Sequence, residues 1–200
     1  MRITPKNEIE QRISRLQTLM VQQGIDAAVL LQNADLFYFT GSIQTGVCYV
    51  PAAGEPLYLV RKDFGRARME SGLQQIAPLT SMRDVASLLK EHGIELPQKV
   101  GMELDVLPVA LFQRWHKILG GGETCDISPL IRTVKAIKSD YEIAIMKDCG
   151  LLMDKIYQRA KEVIQVGKTD LEVAAELECL ARKEGHQGIT RFRSFNSELF

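Results

Sequence analysis

The first half of the chain alternates between apolar residues at helical spacing and short runs that are almost entirely apolar. The first helical stretch follows Asn7-Glu8-Ile9-Glu10, a pattern typical of an N-terminal cap with an acidic residue in the first turn, and it stops at Gly24. Residues 25–31 then form an apolar run of the kind found in buried strands. The same alternation continues to residue 126, which predicts an α/β domain with a mixed sheet and flanking helices. The expected strands are 25–31, 47–50, 56–60, 99–102 and 123–126, and the expected helices are 8–23, 62–71, 81–92 and 108–119.

The second half of the chain changes to long helical stretches. Ser139-Asp140-Tyr141-Glu142 and Thr169-Asp170-Leu171-Glu172 are both capping boxes, in which a hydroxyl and a carboxylate three residues apart cap a helix start. They predict one helix that runs to about residue 166 and a second that ends near Gly185, followed by the start of a strand at 188–195. The predicted organisation is a domain at residues 1–130, a linker at 131–138 and a further segment at 139–200.

Composition narrows the class of protein without identifying its function. Lys plus Arg and Asp plus Glu each number 25, so the formal net charge is zero, and we expect neither nucleic acid nor a membrane as a partner. No apolar run approaches the roughly 20 residues of a membrane-spanning helix, and the first residues contain no signal-peptide core. The scattered cysteines are expected to be reduced thiols in a cytoplasmic protein. They are Cys48, Cys125, Cys149 and Cys179.

Three motifs in a fixed order carry a resemblance to a known family. Asn33-Ala34-Asp35-Leu36-Phe37-Tyr38-Phe39-Thr40-Gly41 follows the first predicted strand, and a Gly-x-Glu strand end lies at residues 101–103. Residues 131–143 then read Ile-x-x-x-Lys-x-Ile-Lys-Ser-x-x-Glu-Ile. This order and spacing resemble the creatinase/prolidase/aminopeptidase P family, the M24-like Xaa-Pro peptidases.

The resemblance implies a fold. It is a creatinase/prolidase N-terminal domain, with a ribonuclease H-like mixed sheet and flanking helices, followed by two helices and a first strand of a truncated α+β pita-bread domain. The resemblance also implies the N-terminal portion of a homodimeric Xaa-Pro peptidase-like dimetal hydrolase, which cleaves peptides or dipeptides next to proline. A divalent metal pair (Mn, Co or Zn) is expected in the full-length parent, with its ligands beyond Phe200. The 200-residue chain itself is therefore expected to hold no cofactor and to be inactive.

Two other functions remain open from the sequence. A creatinase-like amidinohydrolase would share the architecture but attack a guanidino carbon. A catalytically inactive family member would act as a protein-binding module. An Asp…Asp…His…Glu…Glu series after residue 200 would favour hydrolysis over binding, because those residue types supply the ligands of a metal pair.

The loop at residues 41–46 is one candidate substrate-binding element. In relatives that dimerise, the corresponding loop reaches the substrate pocket of the neighbouring subunit, and Ser42, Gln44 and Thr45 carry the polar groups that would bind a peptide or carboxylate there. Gly41 is expected to supply a positive φ angle at the start of this loop. The plain alternative is that the loop only turns the chain.

The last strand is the other candidate. Arg191 and Arg193 alternate with Phe192 and Phe195, so the arginines would lie on one face of a strand. A guanidinium there can bind a substrate carboxylate bidentately. Salt bridges to the preceding helices are an equally good interpretation of the two arginines.

The chain departs from the usual family pattern at three positions. Phe39 stands where Leu is usual, Asp35 where many relatives have Asn, and Lys135 where Arg is more usual. Lys135, Lys138 and Glu142 are expected to form surface ion pairs and a helix cap, which contribute little to function.

Overall fold

The computed structural model of the protein describes residues 3–188, 190–191 and 198–199, and it describes the side chains of residues 3–188. Contacts between residues divide the described chain into two compact units, the first ending at Ala136 and the second beginning at Ile137. No helix in the described part of the chain combines the length and apolar character that crossing a bilayer requires.

Short strands alternate with helices in the first unit, which confirms the predicted α/β class with a mixed sheet. The strands are β1 (Ala27–Leu30), β2 (Gly46–Pro51), β3 (Leu57–Val60), β4 (Gln75–Pro78), β5 (Lys99–Met102) and β6 (Glu123–Asp126). The helices are α1 (Lys6–Gln22), α2 (Asn33–Thr40), α3 (Phe64–Glu70), α4 (Val85–Glu91), α5 (Val109–Ile118) and α6 (Ser128–Ala136), with a short 3₁₀ turn at Met82–Asp84.

The sheet has the order β4-β3-β2-β1-β5-β6, and its strand pairs are mixed in direction. β1 pairs antiparallel with β2, and β2 with β3, whereas the pairs β1–β5, β3–β4 and β5–β6 are parallel. Every residue of β1 is buried, because helices cover both faces of the sheet. Ala28 and Leu30 face a core shared with α1, α2, α3 and α6, and Ala27 and Val29 face a core shared with α4 and α5.

Helix α1 begins differently from the prediction. Pro5 occupies the N-cap position and no side chain caps the helix, so the predicted cap at Asn7 is wrong. Pro5 already fixes the backbone angle with which a helix starts, and Glu8 turns to Arg12 one turn later, with 3.0 Å between Glu8 Oε1 and Arg12 Nε. The capping box predicted at Ser81 and Asp84 is present.

Helix α2 occupies residues 33–40, for which the sequence predicted no helix. The Gln32 side chain accepts hydrogen bonds from the backbone N–H groups of Ala34 (2.6 Å) and Asp35 (3.1 Å), which caps the helix start. Glutamine is an uncommon cap, and the helix has almost no polar face, so its periodicity gives no signal. The edge strand β4 was also not predicted, since its residues Gln75-Ile76-Ala77-Pro78 form no continuous apolar run and end in proline.

Helix α6 covers most of the stretch that was expected to be a linker at residues 131–138. Its side chains Leu130, Ile131 and Val134 are buried in the core that also contains α1. Residues 131–136 therefore belong to the first unit, because their apolar side chains pack in its core.

The second unit contains two long helices with the predicted capping boxes. They are α7 (Asp140–Val163) and α8 (Asp170–Lys183). Ser139 and Glu142 cap α7 reciprocally, with distances of 2.9 and 3.2 Å, and Thr169 and Glu172 cap α8 in the same way. The short strands β7 (Thr190–Arg191) and β8 (Glu198–Leu199) pair antiparallel. Of the strand predicted at 188–195, the structure shows Thr190 and Arg191 in β7, whereas Gly188 is not in a strand and residues 189 and 192–195 lie outside the described residues.

Candidate functional site

The loop between α2 and β2 begins and ends at glycines that no other residue can replace without strain. Gly41 has a φ angle of +80°, which confirms the predicted positive φ, and a β-carbon there would lie 3.1 Å from Ile9 Cδ1. A β-carbon on Gly46 would lie 2.2 Å from the carbonyl oxygen of Leu59 on the paired strand. Both ends of the loop are therefore fixed by the backbone itself.

Ser42 is turned inward and is 1% exposed. Its Oγ donates a 2.6 Å hydrogen bond to Glu70 Oε2, and its backbone N–H donates to Thr40 Oγ1 at 3.1 Å. The other oxygen of Glu70 accepts from Arg66 Nε at 2.5 Å, one turn earlier in α3. Ser42 is thus tied to the protein's own interior through Glu70 and Thr40.

Glu70 remains charged despite its burial. Burial alone would raise the pKa of this carboxyl, but the hydrogen bonds from Ser42, Arg66 and Gln44 stabilise its ionised form more strongly and lower the pKa below its ordinary value. The charged carboxylate in turn gives Ser42 a strong acceptor. Because the pKa is lowered, this contribution to stability is present at neutral pH and is lost as the pH falls through the lowered value.

Gln44 and Thr45 form the accessible part of the loop. The Gln44 side chain is half-buried and its Nε2 donates a long 3.5 Å hydrogen bond to Glu70. The backbone carbonyl oxygen of Gln44 accepts a 2.5 Å hydrogen bond from the Tyr58 hydroxyl. Burial raises the pKa of Tyr58, so the phenol stays a donor. Thr45 has an exposed side chain, and its carbonyl oxygen accepts from the N–H of Arg61 at 2.7 Å. These two hydrogen bonds hold the backbone of the loop, while the polar side chains of Gln44 and Thr45 remain accessible.

The side chains of the two candidate arginines lie outside the described part of the chain. Arg191 lies in β7, in the second unit, and its side chain is outside the described part of the chain. Arg193 is outside the described residues altogether. Both therefore remain predictions from the sequence.

A second group of polar residues lies under α2 and was not foreseen. Asp35 and Glu103 are both fully buried, and Glu103 Oε2 accepts hydrogen bonds from the N–H groups of Leu31 (2.7 Å) and Gln32 (3.0 Å) at the end of β1. Lys135 of α6 donates to Asp35 Oδ1. The expectation that Lys135 makes a surface pair is wrong, because its partner is a buried carboxylate and its own side chain is only 23% exposed.

Tyr38 extends this group to α1. The Arg12 guanidinium lies 4.1 Å from the centre of the Tyr38 ring, and Lys135 Nζ lies 4.9 Å from it. Arg12 also donates a 2.8 Å hydrogen bond to the Tyr38 carbonyl oxygen. Asp35 and Lys135, two of the three positions at which the sequence departs from the family pattern, are therefore in direct contact and compensate each other's charge.

The described side chains offer no set of ligands for the metal pair that the resemblance implies. Across residues 3–188, no group of three or more His, Cys, Asp or Glu side chains is arranged to hold a metal ion. Each histidine has a local partner: His92 faces the carbonyl oxygen of Leu88, His116 faces Thr124 Oγ1, and His186 accepts from the N–H of Gly188.

The sequence alone predicts some of the ion pairs around the loop and α2. Glu8–Arg12 and Arg66–Glu70 are both spaced at i,i+4, which predicts ion pairs on a helix surface. The burial of these residues and their long-range partners depend on the tertiary structure and cannot be predicted from local spacing. Glu70 is 28 residues from Ser42, and Asp35 is 100 residues from Lys135.

Comparison with known proteins gives consistent matches to one group. The profile of the creatinase/prolidase N-terminal domain matches residues 12–137. An Xaa-Pro dipeptidase from Pyrococcus horikoshii is 26% identical over 179 residues, a match that covers 88% of the chain and 49% of that protein. The solved structure of an Xaa-Pro dipeptidase from Bacillus anthracis aligns with a TM-score of 0.79 and 25% identity, over 88% of the chain and 50% of that structure.

A more distant structure shares the fold. A dipeptidase from Mycobacterium ulcerans aligns with a TM-score of 0.78 at 18% identity, over 94% of the chain and 53% of that structure. The chain spans about half the length of the curated relatives it matches. The similarity therefore concerns about half of an Xaa-Pro dipeptidase, including the N-terminal domain.

The anchoring of the loop by Ser42 can be measured as stability. We expect Ser42→Ala to reduce the free energy of unfolding of the first unit by about 1–3 kcal/mol, because the buried Glu70 carboxylate loses its short hydroxyl donor. The single tryptophan, Trp115, is buried in the first unit, so its fluorescence during urea unfolding reports this unit. Thr45→Ala, an exposed position in the same loop, is the control and should change stability by less than about 0.5 kcal/mol. Equal effects of the two substitutions would contradict the anchoring role.

Proposed function

The chain belongs to the creatinase/prolidase N-terminal domain family, and we propose that it is the N-terminal portion of an Xaa-Pro peptidase-like dimetal hydrolase that cleaves peptides next to proline. The observation that carries this proposal is the match of the chain, along most of its length, to Xaa-Pro dipeptidases in both sequence and structure. The proposed parent acts on peptides or dipeptides in the cytoplasm as a homodimer, and it uses a pair of Mn, Co or Zn ions.

The proposed division of labour places the chemistry outside the described residues. A metal pair would polarise the scissile carbonyl and activate a bridging water. The described residues would instead form the N-terminal domain with its loop at residues 41–46. Helices α7 and α8 would be the first elements of the catalytic domain. On this proposal residues 1–130 form the creatinase-type domain and residues 139–200 the first part of the pita-bread domain.

This proposal predicts that the 200-residue chain is inactive by itself. Incubated with Mn²⁺, Co²⁺ or Zn²⁺ and an Xaa-Pro dipeptide, the purified chain should release no more proline than buffer containing the same metal, because residues 3–188 bring no metal-ligand cluster together. An Xaa-Pro dipeptidase assayed in parallel controls for the conditions. Metal-dependent release of proline by the chain, removed by a chelator, would show that its own residues perform the reaction.

We further propose that the loop contacts the substrate of a neighbouring subunit through Gln44 and Thr45. Their side chains are the accessible polar groups of the loop, while its backbone is fixed by Tyr58 and Arg61. Ser42 acts through Glu70 as a positioning residue. A rigidly held loop with available hydrogen-bonding groups is a common way for a fold to present substrate contacts.

The loop proposal can be tested in a chimera in which residues 1–136 replace the N-terminal domain of an Xaa-Pro dipeptidase. Gln44→Ala and Thr45→Ala should each lower kcat/KM about three- to tenfold, the effect of one lost hydrogen bond, while the melting temperature stays unchanged. Thr80→Ala, another exposed threonine in a loop, is the matched control and should leave the kinetics unchanged. If the loop variants behave like Thr80→Ala, the loop is structural. The whole-protein proposal then still stands, because it rests on the match of the chain to Xaa-Pro dipeptidases and not on the loop.

A further inference from the structure

Arg66 on α3 combines a fixed guanidinium group with a free hydrogen-bonding edge. Its Nε donates a 2.5 Å hydrogen bond to Oε1 of the buried Glu70 carboxylate, while 57% of the Arg66 side chain is exposed. Its two terminal nitrogens, Nη1 and Nη2, make no hydrogen bond with any residue in the described part of the chain. These two nitrogens form a planar fork that matches the two oxygens of a carboxylate. Glu70 thus fixes the inner edge of the guanidinium and leaves the fork available to a ligand.

The fork of Arg66 lies next to the loop at residues 41–46. Oε2 of Glu70, the other oxygen of the same carboxylate, accepts a hydrogen bond from Ser42 Oγ at 2.6 Å and one from Gln44 Nε2 at 3.5 Å. Arg66 and Gln44 therefore meet at the same carboxylate. The bond from Gln44 is longer than an ordinary N–H···O hydrogen bond, so little is lost when its amide turns to a better acceptor. Together the two side chains offer a ligand several N–H donors at one place.

The chain around this fork carries an excess of positive charge. Residues 61–70 contain four basic and two acidic side chains: Arg61, Lys62, Arg66 and Arg68, with Asp63 and Glu70. The backbone N–H of Arg61 donates a 2.7 Å hydrogen bond to the carbonyl oxygen of Thr45, which places Arg61 beside the loop. The side chains of Arg61 and Lys62 are exposed, and neither makes an ion pair or a hydrogen bond with another described residue. These charges attract an anion toward the loop.

We propose that Arg66 and Gln44 bind the terminal carboxylate of the peptide substrate, and that Arg61 and Lys62 attract it. This inference rests on the proposed function, which supplies a peptide as the ligand and the loop as the contact. It adds the group of the peptide that is recognised and a residue outside the loop that recognises it. The Arg66 fork binds both oxygens of the carboxylate, and the Gln44 amide donates a further hydrogen bond to one of them.

Recognition of a terminal carboxylate makes the site selective for the length of the peptide. In an Xaa-Pro dipeptide, the free carboxylate belongs to the residue that follows the cleaved bond, so binding it fixes the position of that bond relative to the loop. A longer peptide has its terminal carboxylate further from this bond, and a C-terminal amide has no charge for the fork to bind. Arg66 is therefore a specificity-determining residue that favours free dipeptides over longer peptides and amides.

The test is an NMR titration of the isotopically labelled 200-residue chain, followed through the side-chain signals of Arg66 and Gln44. Three probes are compared: an Xaa-Pro dipeptide, the C-terminal amide of the same dipeptide, and acetate. An uncharged chelator in every sample prevents metal-dependent hydrolysis, so the titration measures binding alone. The dipeptide and acetate should shift both sets of signals to saturation. The amide should bind at least about tenfold more weakly than the dipeptide, because it lacks the charged acceptor of the fork.

A variant separates binding by the fork from the ion pair with Glu70. Arg66→Lys keeps a positive charge beside Glu70 but removes the fork, so the dipeptide should bind about tenfold more weakly while the melting temperature stays unchanged. Arg68→Lys is the matched control, because Arg68 is exposed on the same helix and lies over the ring of Phe64. It should bind the dipeptide as wild type does.

The comparison of dipeptide and amide on wild-type protein decides the question even if Arg66→Lys fails to fold. Equal binding of the two, or no saturable shift with the dipeptide, would overturn the proposal. Unchanged binding of the dipeptide by folded Arg66→Lys would overturn it as well. A shift with acetate alone would overturn the assignment of a peptide as the ligand. Each of these results leaves the proposed hydrolase function standing, because that function is tested by hydrolysis and not by binding to this site.

Discussion

Burying a charge requires a partner, and the burial of Asp35 is the constraint on which the arrangement around α2 depends. A carboxylate without solvent exposure is tolerated only when hydrogen-bond donors and a cation reach it, and removing one partner of such a pair costs about 3–5 kcal/mol. Asp35 therefore requires Lys135 on α6 to stay close to α2. Glu103, which follows β5, accepts hydrogen bonds from the backbone N–H groups of Leu31 and Gln32, which follow β1. Elements far apart in sequence are thereby held together at one end of the central parallel strand pair.

The position of the loop at residues 41–46 depends on the contacts of Asp35 and on a second buried carboxyl, that of Glu70. Asp35 and its partners hold the helix before the loop, and Glu70 holds Ser42 within it. The pKa values of the two buried glutamates are shifted in opposite directions because their surroundings differ. Glu70 is surrounded by donors that stabilise its charge, whereas Glu103 lies beside another carboxyl and away from solvent. Glu70 thus anchors Ser42, whereas Glu103 anchors the backbone N–H groups of Leu31 and Gln32.

Sequence reasoning reached the parts of the structure that local rules determine. Helical spacing and the capping boxes at Ser139 and Thr169 identified α1, α7 and α8, although Pro5 rather than Asn7 starts α1. Helix α2 was missed because its polar and apolar residues are not separated onto two faces. Helix α6 was missed because a nine-residue helix between a strand and a capping box resembles a connection. At the site, Ser42 and Gln44 could be named from their loop, but Glu70 and the pairing of Asp35 with Lys135 depend on contacts between distant segments. Such contacts leave no period or spacing in a single sequence.

Native-state hydrogen exchange of the Leu31 and Gln32 amide protons tests the central claim most directly, since both N–H groups donate to Glu103 beneath α2. If the buried carboxyl cluster fixes this end of the sheet, both amides should exchange only through global unfolding, with the same opening free energy as the amides of β1. At a pH above the raised pKa of Glu103 they should become less protected before the rest of β1 does. Exchange of both amides at the rate of an open loop near neutral pH would show that the cluster does not hold α2 in place, and would contradict the account.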